Sequence, residues 1–342
     1  MALVPEQYNL SNFIQAVRNP AKFLDEAHRH AQRFYPIPEY GRRLLFNHRY
    51  GPGTDFIEED WDTLIILDAC RYDEFARQSD LDGSLQSRIS RGSQSIEFME
   101  ENFQSKRLHD TVYVTGNPHT AKLDEETFHA MFTVPVEPLE PPAYEGFPPN
   151  SRAVRPEDVV ERAKQAYENF PDKRLVVHFM TPHTPYLGET GAETYSNLHE
   201  SRGDLTVKMG RGANGNLNLT VSQIMNNGAI DISDETLKTA YRENIDIVLK
   251  HVEELLAVLS GKTVVTADHG EFLGETVRLA ESETWRAKTY GHFRVARPEL
   301  RDVPWLVVEQ GDRREVTSEP PVESERFAAD EVEQQLEALG YA

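Results

Sequence analysis

The chain has 342 residues and one cysteine, Cys70, so an intramolecular disulfide is impossible. Asp and Glu outnumber Lys and Arg by 57 to 36, a net charge of −21; this argues against nucleic acid and anionic lipid as partners. No stretch of about eighteen apolar residues occurs, and the N-terminal MALVPEQYNLSNF has neither the basic nor the apolar region of a secretory signal. The expectation is a cytoplasmic protein without an integral membrane segment, its oligomeric state open. The acid excess is taken as spread over the whole length, which suggests solubility in high salt.

Residues 1–60 read as a helical extension. Asn12 to Phe34 has helical spacing with a break at Pro20, Tyr35 to Tyr40 reads as a proline-containing loop, and Tyr50 to Asp55 is turn material. The main domain is expected over 61–312. It opens with WDTLIILDACRYDEF, a continuous apolar run as in a strand covered on both faces, ending on Asp68 and followed by an amphipathic helix. Asp68 either caps that helix or faces a ligand at the strand end. Cys70 reads as a small buried apolar residue. A second helix begins at Ser93 or Ser95 and runs through Phe98, Met99 and Phe103. A hydroxyl in its first turn is either an ordinary cap or a nucleophile that a metal activates.

Thr111 to Thr115 reads as the next strand, followed by Gly116-Asn117-Pro118-His119. Residues 133–156 hold seven prolines and form an irregular excursion that could roof a site. A helix over Glu157 to Phe170 precedes the strand LVVHFM, which carries His178, and the segment TPHTPY, which carries His183 and Tyr186. His178 reads first as a hydrogen-bonded core histidine; His183, between two prolines, is the better functional candidate. Residues 188–232 read as an insertion or lid. A long helix from Asp234 to Leu259 feeds the strand of KTVVTADHGEFLGE. There Asp268 and His269 follow one another at a strand end, a ligand pair suited to Zn or Mn, or else a solvated turn. Tyr290-Gly291-His292 and a last strand over Pro304 to Val308 follow. Glu315 to Glu325 reads as disordered, and 313–342 as an acidic linker with a C-terminal helix.

Strands near 63–68, 110–115, 174–180, 262–267 and 304–308 alternate with helices. That predicts a three-layer α/β/α fold with a mostly parallel central sheet.

LDACRYDEF, TPHTPY, TADHGEFLGE and YGH followed by LRDVPWLVV, in this order, resemble the sulfatase-like branch of the alkaline phosphatase superfamily. The similarity covers roughly residues 60–310 and LEALGY at the terminus. It implies an alkaline-phosphatase-like fold and a divalent metal ion, Zn, Mn or Ca, held by Asp68, Ser95, Asp268 and His269. Ser95 would be the nucleophile and His183 and His292 would act on the ester, unless His292 holds a second metal. Arg71, Arg91, His178 and Tyr186 would contact a small anionic ester or glycan-type substrate. The formylglycine motif CxPSR or SxPSR is absent, and Ala69 stands where a second acid is usual. The site therefore resembles more the phosphoethanolamine and phosphoglycerol transferase relatives, which use an unmodified Thr or Ser. A metal-dependent hydrolase or transferase of phosphate or sulfate esters is expected. The alternatives are a non-catalytic metal-binding scaffold and a phosphosugar mutase of the same superfamily.

Overall fold

A computed structural model describes residues 36–201, 221–226, 232–278, 286–322, 324–328 and 331–332. The segment expected to be helical over Asn12 to Phe34 lies outside them, as does most of the C-terminal helix. The chain divides into Met1–Gly51 and Pro52–Ala342. In the first unit, helix α1 (Pro36–Tyr50) replaces the expected loop. Pro36 and Pro38 fall in its first turn, where a missing N–H costs nothing. The acid excess is not uniform: residues 1–51 hold seven Lys and Arg against four Asp and Glu, and residues 52–342 hold 29 against 53. The division falls before residue 60 because Phe56 already belongs to the second unit, where its ring packs against Phe98 and Trp305.

The second unit is built on a seven-stranded sheet. Its strands are β1 (Thr63–Leu67), β2 (Ser84–Ile89), β3 (Leu108–Thr115), β4 (Phe128–Thr133), β7 (Arg174–Phe179), β8 (Gly261–Thr266) and β11 (Asp302–Gln310). The order is β2-β11-β8-β1-β7-β3-β4. Strand β11 runs antiparallel to both its neighbours, and the other pairings are parallel. All five residues of β1 are buried, as a central strand covered on both faces requires. Two short ladders lie outside this sheet: β5 (Glu137–Pro138) with β6 (Arg152–Ala153), and β9 (Phe272–Arg278) with β10 (Arg286–Gly291).

The helices of this unit are α2 (Tyr72–Gln78), α3 (Ser95–Asn102), α4 (Pro156–Asn169), α5 (Glu189–Glu200), α6 (Val221–Asn226), α7 (Asp234–Leu256) and α8 (Pro298–Arg301). The arrangement is the expected three-layer α/β/α. Helix α4 packs on β3 and β7, and α7 on α4, α5 and α2. Helix α3 brings Phe98 to Phe56 and Phe103, and Phe103 to Tyr113 and Phe128. The proline-rich excursion packs through Leu139 and Ala153 against Leu187, with Tyr144, Phe147 and Ile247 beside them. Of the expected lid, α5 and α6 are described, and the glycine-rich residues 202–220 lie outside.

The segment after β11 is not disordered. It runs back along the body and pairs with the edge of β4, where Thr133 N donates to Glu325 O at 2.9 Å and Glu325 N to Met131 O at 2.9 Å. Two of its acids meet cations: Glu319, with Thr317, bonds the buried Lys173 amine at 2.7 and 2.8 Å, and Glu325 pairs with Arg162. An acidic composition therefore marks a strap here, one that also shields a sheet edge.

Candidate active site

The parallel strands deliver their carboxyl ends to one place. Asp68 follows β1, Asn117 follows β3, His178 is the penultimate residue of β7, and Asp268-His269 follow β8. The two central loops are tied together: Asp268 Oδ1 accepts from Ala69 N at 3.1 Å and from His269 N at 2.8 Å. Ala69 holds a positive φ of 61°, a conformation unusual outside glycine and a local strain beside the site.

Ser95 is the first residue of α3, behind the N-cap Gln94. Its hydroxyl donates to Asp68 Oδ2 at 3.1 Å and lies 3.3 Å from His269 Nε2. Asn117 Nδ2 donates to the same Asp68 oxygen at 3.1 Å. Ser93 faces elsewhere. Its hydroxyl donates to Glu97 Oε2 at 2.8 Å and accepts from Val295 N at 3.1 Å. Ser93 thus ties the start of α3 to Val295, and Ser95 is the hydroxyl in the cluster.

Three buried polar atoms here have no hydrogen-bond partner: Asp68 Oδ1, Asp268 Oδ2 and His178 Nε2. Such an atom costs roughly 1–3 kcal/mol of lost hydration, so convergent orphans require a reason. The ligand atoms of Asp68, His178 and Asp268 lie within 4.8 Å of one another. His178 Nδ1 is 2.8 Å from the Tyr113 hydroxyl, while Nε2 is 3.7 Å from Asp268 Oδ2 and 3.9 Å from Asp68 Oδ2. His178 is therefore more than a core histidine: it is hydrogen-bonded on one side and turned to the two carboxylates on the other. His269 Nδ1 is 2.8 Å from the Gly270 carbonyl, which can only accept, so Nδ1 carries the proton. Its Nε2 then presents a lone pair 3.5 Å from Asp268 Oδ2 and 3.6 Å from Asp68 Oδ1.

Lone pairs and carboxylate oxygens facing one another repel unless a cation lies between them. Burial above all, and then the Asp268 charge, push the Asp68 carboxyl well above its ordinary range. Burial lowers His178 to about 4, and burial with the neighbouring His292 holds His269 well below the usual imidazole value. Two oxygens and two neutral imidazole nitrogens form a donor set that fits a divalent ion of the Zn or Mn type.

A second group adjoins the first. The ligand atoms of His269, Glu271 and His292 also lie within 4.8 Å of one another. The His292 ring is 4.3 Å from that of His269 and 5.1 Å from that of His183, centroid to centroid. His292 Nδ1 donates to Glu271 Oε2 at 2.8 Å. Burial opposes a charge on His292, but Glu271 outweighs it and raises the pKa. His183 Nδ1 donates to the Thr184 carbonyl at 2.7 Å, and burial followed by His292 lowers its pKa strongly. One imidazole that favours its proton thus stands beside one that gives its proton up, the usual division between an acid and a base.

The two arginines expected to clamp an anion are committed elsewhere. Arg71 donates to both Asp73 oxygens at 2.8 and 2.7 Å, to Glu271 O at 3.2 Å, and pairs with Glu275. It braces the loop after β1 against the segment after β8. Arg91 bonds Asp55 at 2.8 Å and the Glu101 carbonyl at 3.3 Å. Acidic neighbours within reach have captured both guanidinium groups. Tyr186 is fully buried, with its hydroxyl near Glu271 and Ser222. Asn117, His119 and Glu271 were missed as site residues, although Asn117 stands two residues beyond β3 as Asp268 does beyond β8, with His119 and Glu271 a few residues further along the same two loops. His119, lowered to about 4 by burial and then by Lys122 and His292, feels the same cluster.

A doubly buried Asp–Asp–His group at strand ends, with a serine hydroxyl against it, defines an α/β protein with a candidate metal centre. No family model matches the chain, and no curated protein matches it. Three solved structures to which it is similar are the following. The C-terminal periplasmic domain of EcEptC from Escherichia coli in complex with Zn is 12% identical with a TM-score of 0.41, over 75% of each chain. The C-terminal periplasmic domain of phosphoethanolamine transferase EptC from Campylobacter jejuni is 11% identical with a TM-score of 0.38, over 72% of this chain and 78% of that one. BT1596, a 2-O GAG sulfatase, is 14% identical with a TM-score of 0.43, over 83% and 71%. No described helix is long and apolar enough to cross a membrane.

Proposed function

We propose that the protein is a metal-dependent hydrolase or transferase of phosphate or sulfate esters, with Ser95 as its nucleophile. The observation that carries this reading is the convergence of Asp68 Oδ1, Asp268 Oδ2 and His178 Nε2, all buried and unpartnered, beside the Ser95 hydroxyl. Asp68, His178, Asp268 and His269 would hold a divalent ion, which supplies a Lewis acid for negative charge on the serine and ester oxygens.

The chain's own residues do the rest. Asp68 Oδ2 already accepts the hydrogen bond of the Ser95 hydroxyl and orients it. The Ser95 hydroxyl gives its proton to Asp68 Oδ2 as its oxygen attacks phosphorus or sulfur, and the ester oxygen leaves on the opposite side. His292, whose pKa the adjacent Glu271 raises, gives a proton to the leaving alcohol. His183, neutral and adjacent, meets the ester oxygens. Water or an acceptor alcohol then releases the group from Ser95. The substrate in this reading is a small anionic ester or a glycan-borne one.

The test is turnover of p-nitrophenyl phosphate and p-nitrophenyl sulfate by protein loaded with Zn or Mn. Release of nitrophenolate from either ester that is lost in Ser95→Ala supports the reading. Bound metal with no turnover of either ester would instead leave a metal-binding scaffold.

A further inference from the structure

Helix α7 carries two polar side chains on a face that is otherwise apolar. Leu237, Ala240, Ile245 and Val248 are buried there, and so, completely, are Tyr241 and Asn244. A buried hydroxyl or amide is costly unless its hydrogen bonds are made. Both make theirs to the backbone of loops that carry site residues, not to each other.

Tyr241 grips the loop after β1. Its hydroxyl donates to Ala69 O at 2.7 Å and accepts from Arg71 N at 3.0 Å. It therefore holds the turn that follows Asp68 and contains the strained Ala69. Asn244 grips the loop after β7. Its Nδ2 donates to the carbonyls of Pro182, His183 and Pro185 at 3.2, 3.3 and 3.2 Å, and its Oδ1 accepts from Leu187 N. The one carbonyl in this run that Asn244 does not hold, Thr184 O, takes the His183 Nδ1 proton. Residues 241 and 244 are one turn apart and so share a helix face. One turn of one rigid helix thus touches both the metal-side loop and the loop that presents His183.

We propose that α7 sets the separation between the Asp68 end of the site and His183, with Tyr241 and Asn244 as its positioning residues. The proposal rests on the ester-transfer reading for what the separation is used for. The two residues act on different halves of the site. Tyr241 governs where the Asp68 carboxylate sits, hence metal affinity. Asn244 governs where the His183 ring sits, hence handling of the tetrahedral anion. Only an amide can accept from Leu187 N while its two N–H groups are shared among three carbonyls; the isosteric carboxylate would set a negative oxygen against them.

The experiment compares Tyr241→Phe, Asn244→Asp and Asn244→Ala with the unsubstituted protein, each first checked for a folded near-UV spectrum. Metal affinity is measured by chelator competition, binding of inorganic vanadate by calorimetry on metal-loaded protein, and kcat with p-nitrophenyl phosphate. In Tyr241→Phe the metal should bind about tenfold more weakly, the size expected for a group behind the ligands, with kcat restored at saturating metal. In Asn244→Asp metal affinity should stay within about twofold, while vanadate binding and kcat both fall about tenfold. Asn244→Ala, which removes the bonds without adding a charge, should show the same pattern to a smaller extent. Equal losses of metal affinity and vanadate binding in both families of variants, or no loss in either, would overturn the proposal. If the unsubstituted protein turns over neither ester, the ester-transfer reading fails by itself, and the metal and vanadate measurements still decide the positioning claim.

Discussion

His269 Nε2 lies 3.3 Å from the Ser95 hydroxyl, although 174 residues separate the two along the chain. The imidazole is held neutral by burial, and its other nitrogen is spent on the Gly270 carbonyl. Its remaining lone pair therefore looks at a hydroxyl and at two carboxylates, with no proton of its own to offer. A nucleophile held so closely among acceptors is poised for a cation to complete the set.

The two serines of the α3 entry separate function from folding. Ser95→Ala should lower kcat roughly a thousandfold or more with a normal melting temperature. Ser93→Ala should keep most activity and lose about 1 kcal/mol of stability, the usual net worth of a hydrogen bond. Steady-state rates and urea unfolding on both variants check this. The reverse pattern would assign the nucleophile to Ser93.

Asn117 donates a hydrogen bond to the Asp68 oxygen that also takes the Ser95 proton. Asn117→Ala should weaken metal binding about 10–100-fold without unfolding the protein, as for groups that orient a ligand. Chelator competition measures it.

Lys173 is almost wholly buried and joins the terminal strap to the body through Asp172, Thr317 and Glu319. Lys173→Met keeps the aliphatic stem but leaves these partners unmatched. The expected cost is about 2 kcal/mol in urea unfolding, within the range for hydrogen bonds to charged groups. Because the partners' carboxylates are themselves largely exposed, a loss beyond about 4 kcal/mol would contradict this account of the strap.

Much of the site was legible because strand ends carry signals in sequence. The apolar runs LIIL, VYV, LVV and TVV each stop at a polar residue, and the fold gathers those stops at the carboxyl end of the sheet. Roles within the gathering were less legible. His178 looked like a core histidine because its strand is apolar on both sides, and only the pairing of β1 with β7 turns it toward Asp68. A pair between Arg71 and Asp73 was legible in sequence and forms, but the captures by Glu275 and of Arg91 by Asp55 were not, because those acids lie 204 and 36 residues away. Gly270 allows a close approach of backbone to backbone that sequence does not reveal: a Cβ there would lie 2.2 Å from Glu299 O. Strands β2, β4, β9 and β10 went unread. Residues Ser84–Ile89 are polar and partly exposed at a sheet edge, so they lack the apolar run that marks the central strands.

The most direct test of the central claim is the divalent metal content of purified protein by elemental analysis, beside His178→Gln and Asp268→Ala. The expected result is bound metal in the unsubstituted chain, none retained in Asp268→Ala, and binding at least about tenfold weaker in His178→Gln. Metal content unchanged in both variants would place the ion elsewhere and contradict the assignment of Asp68, His178, Asp268 and His269 as its ligands.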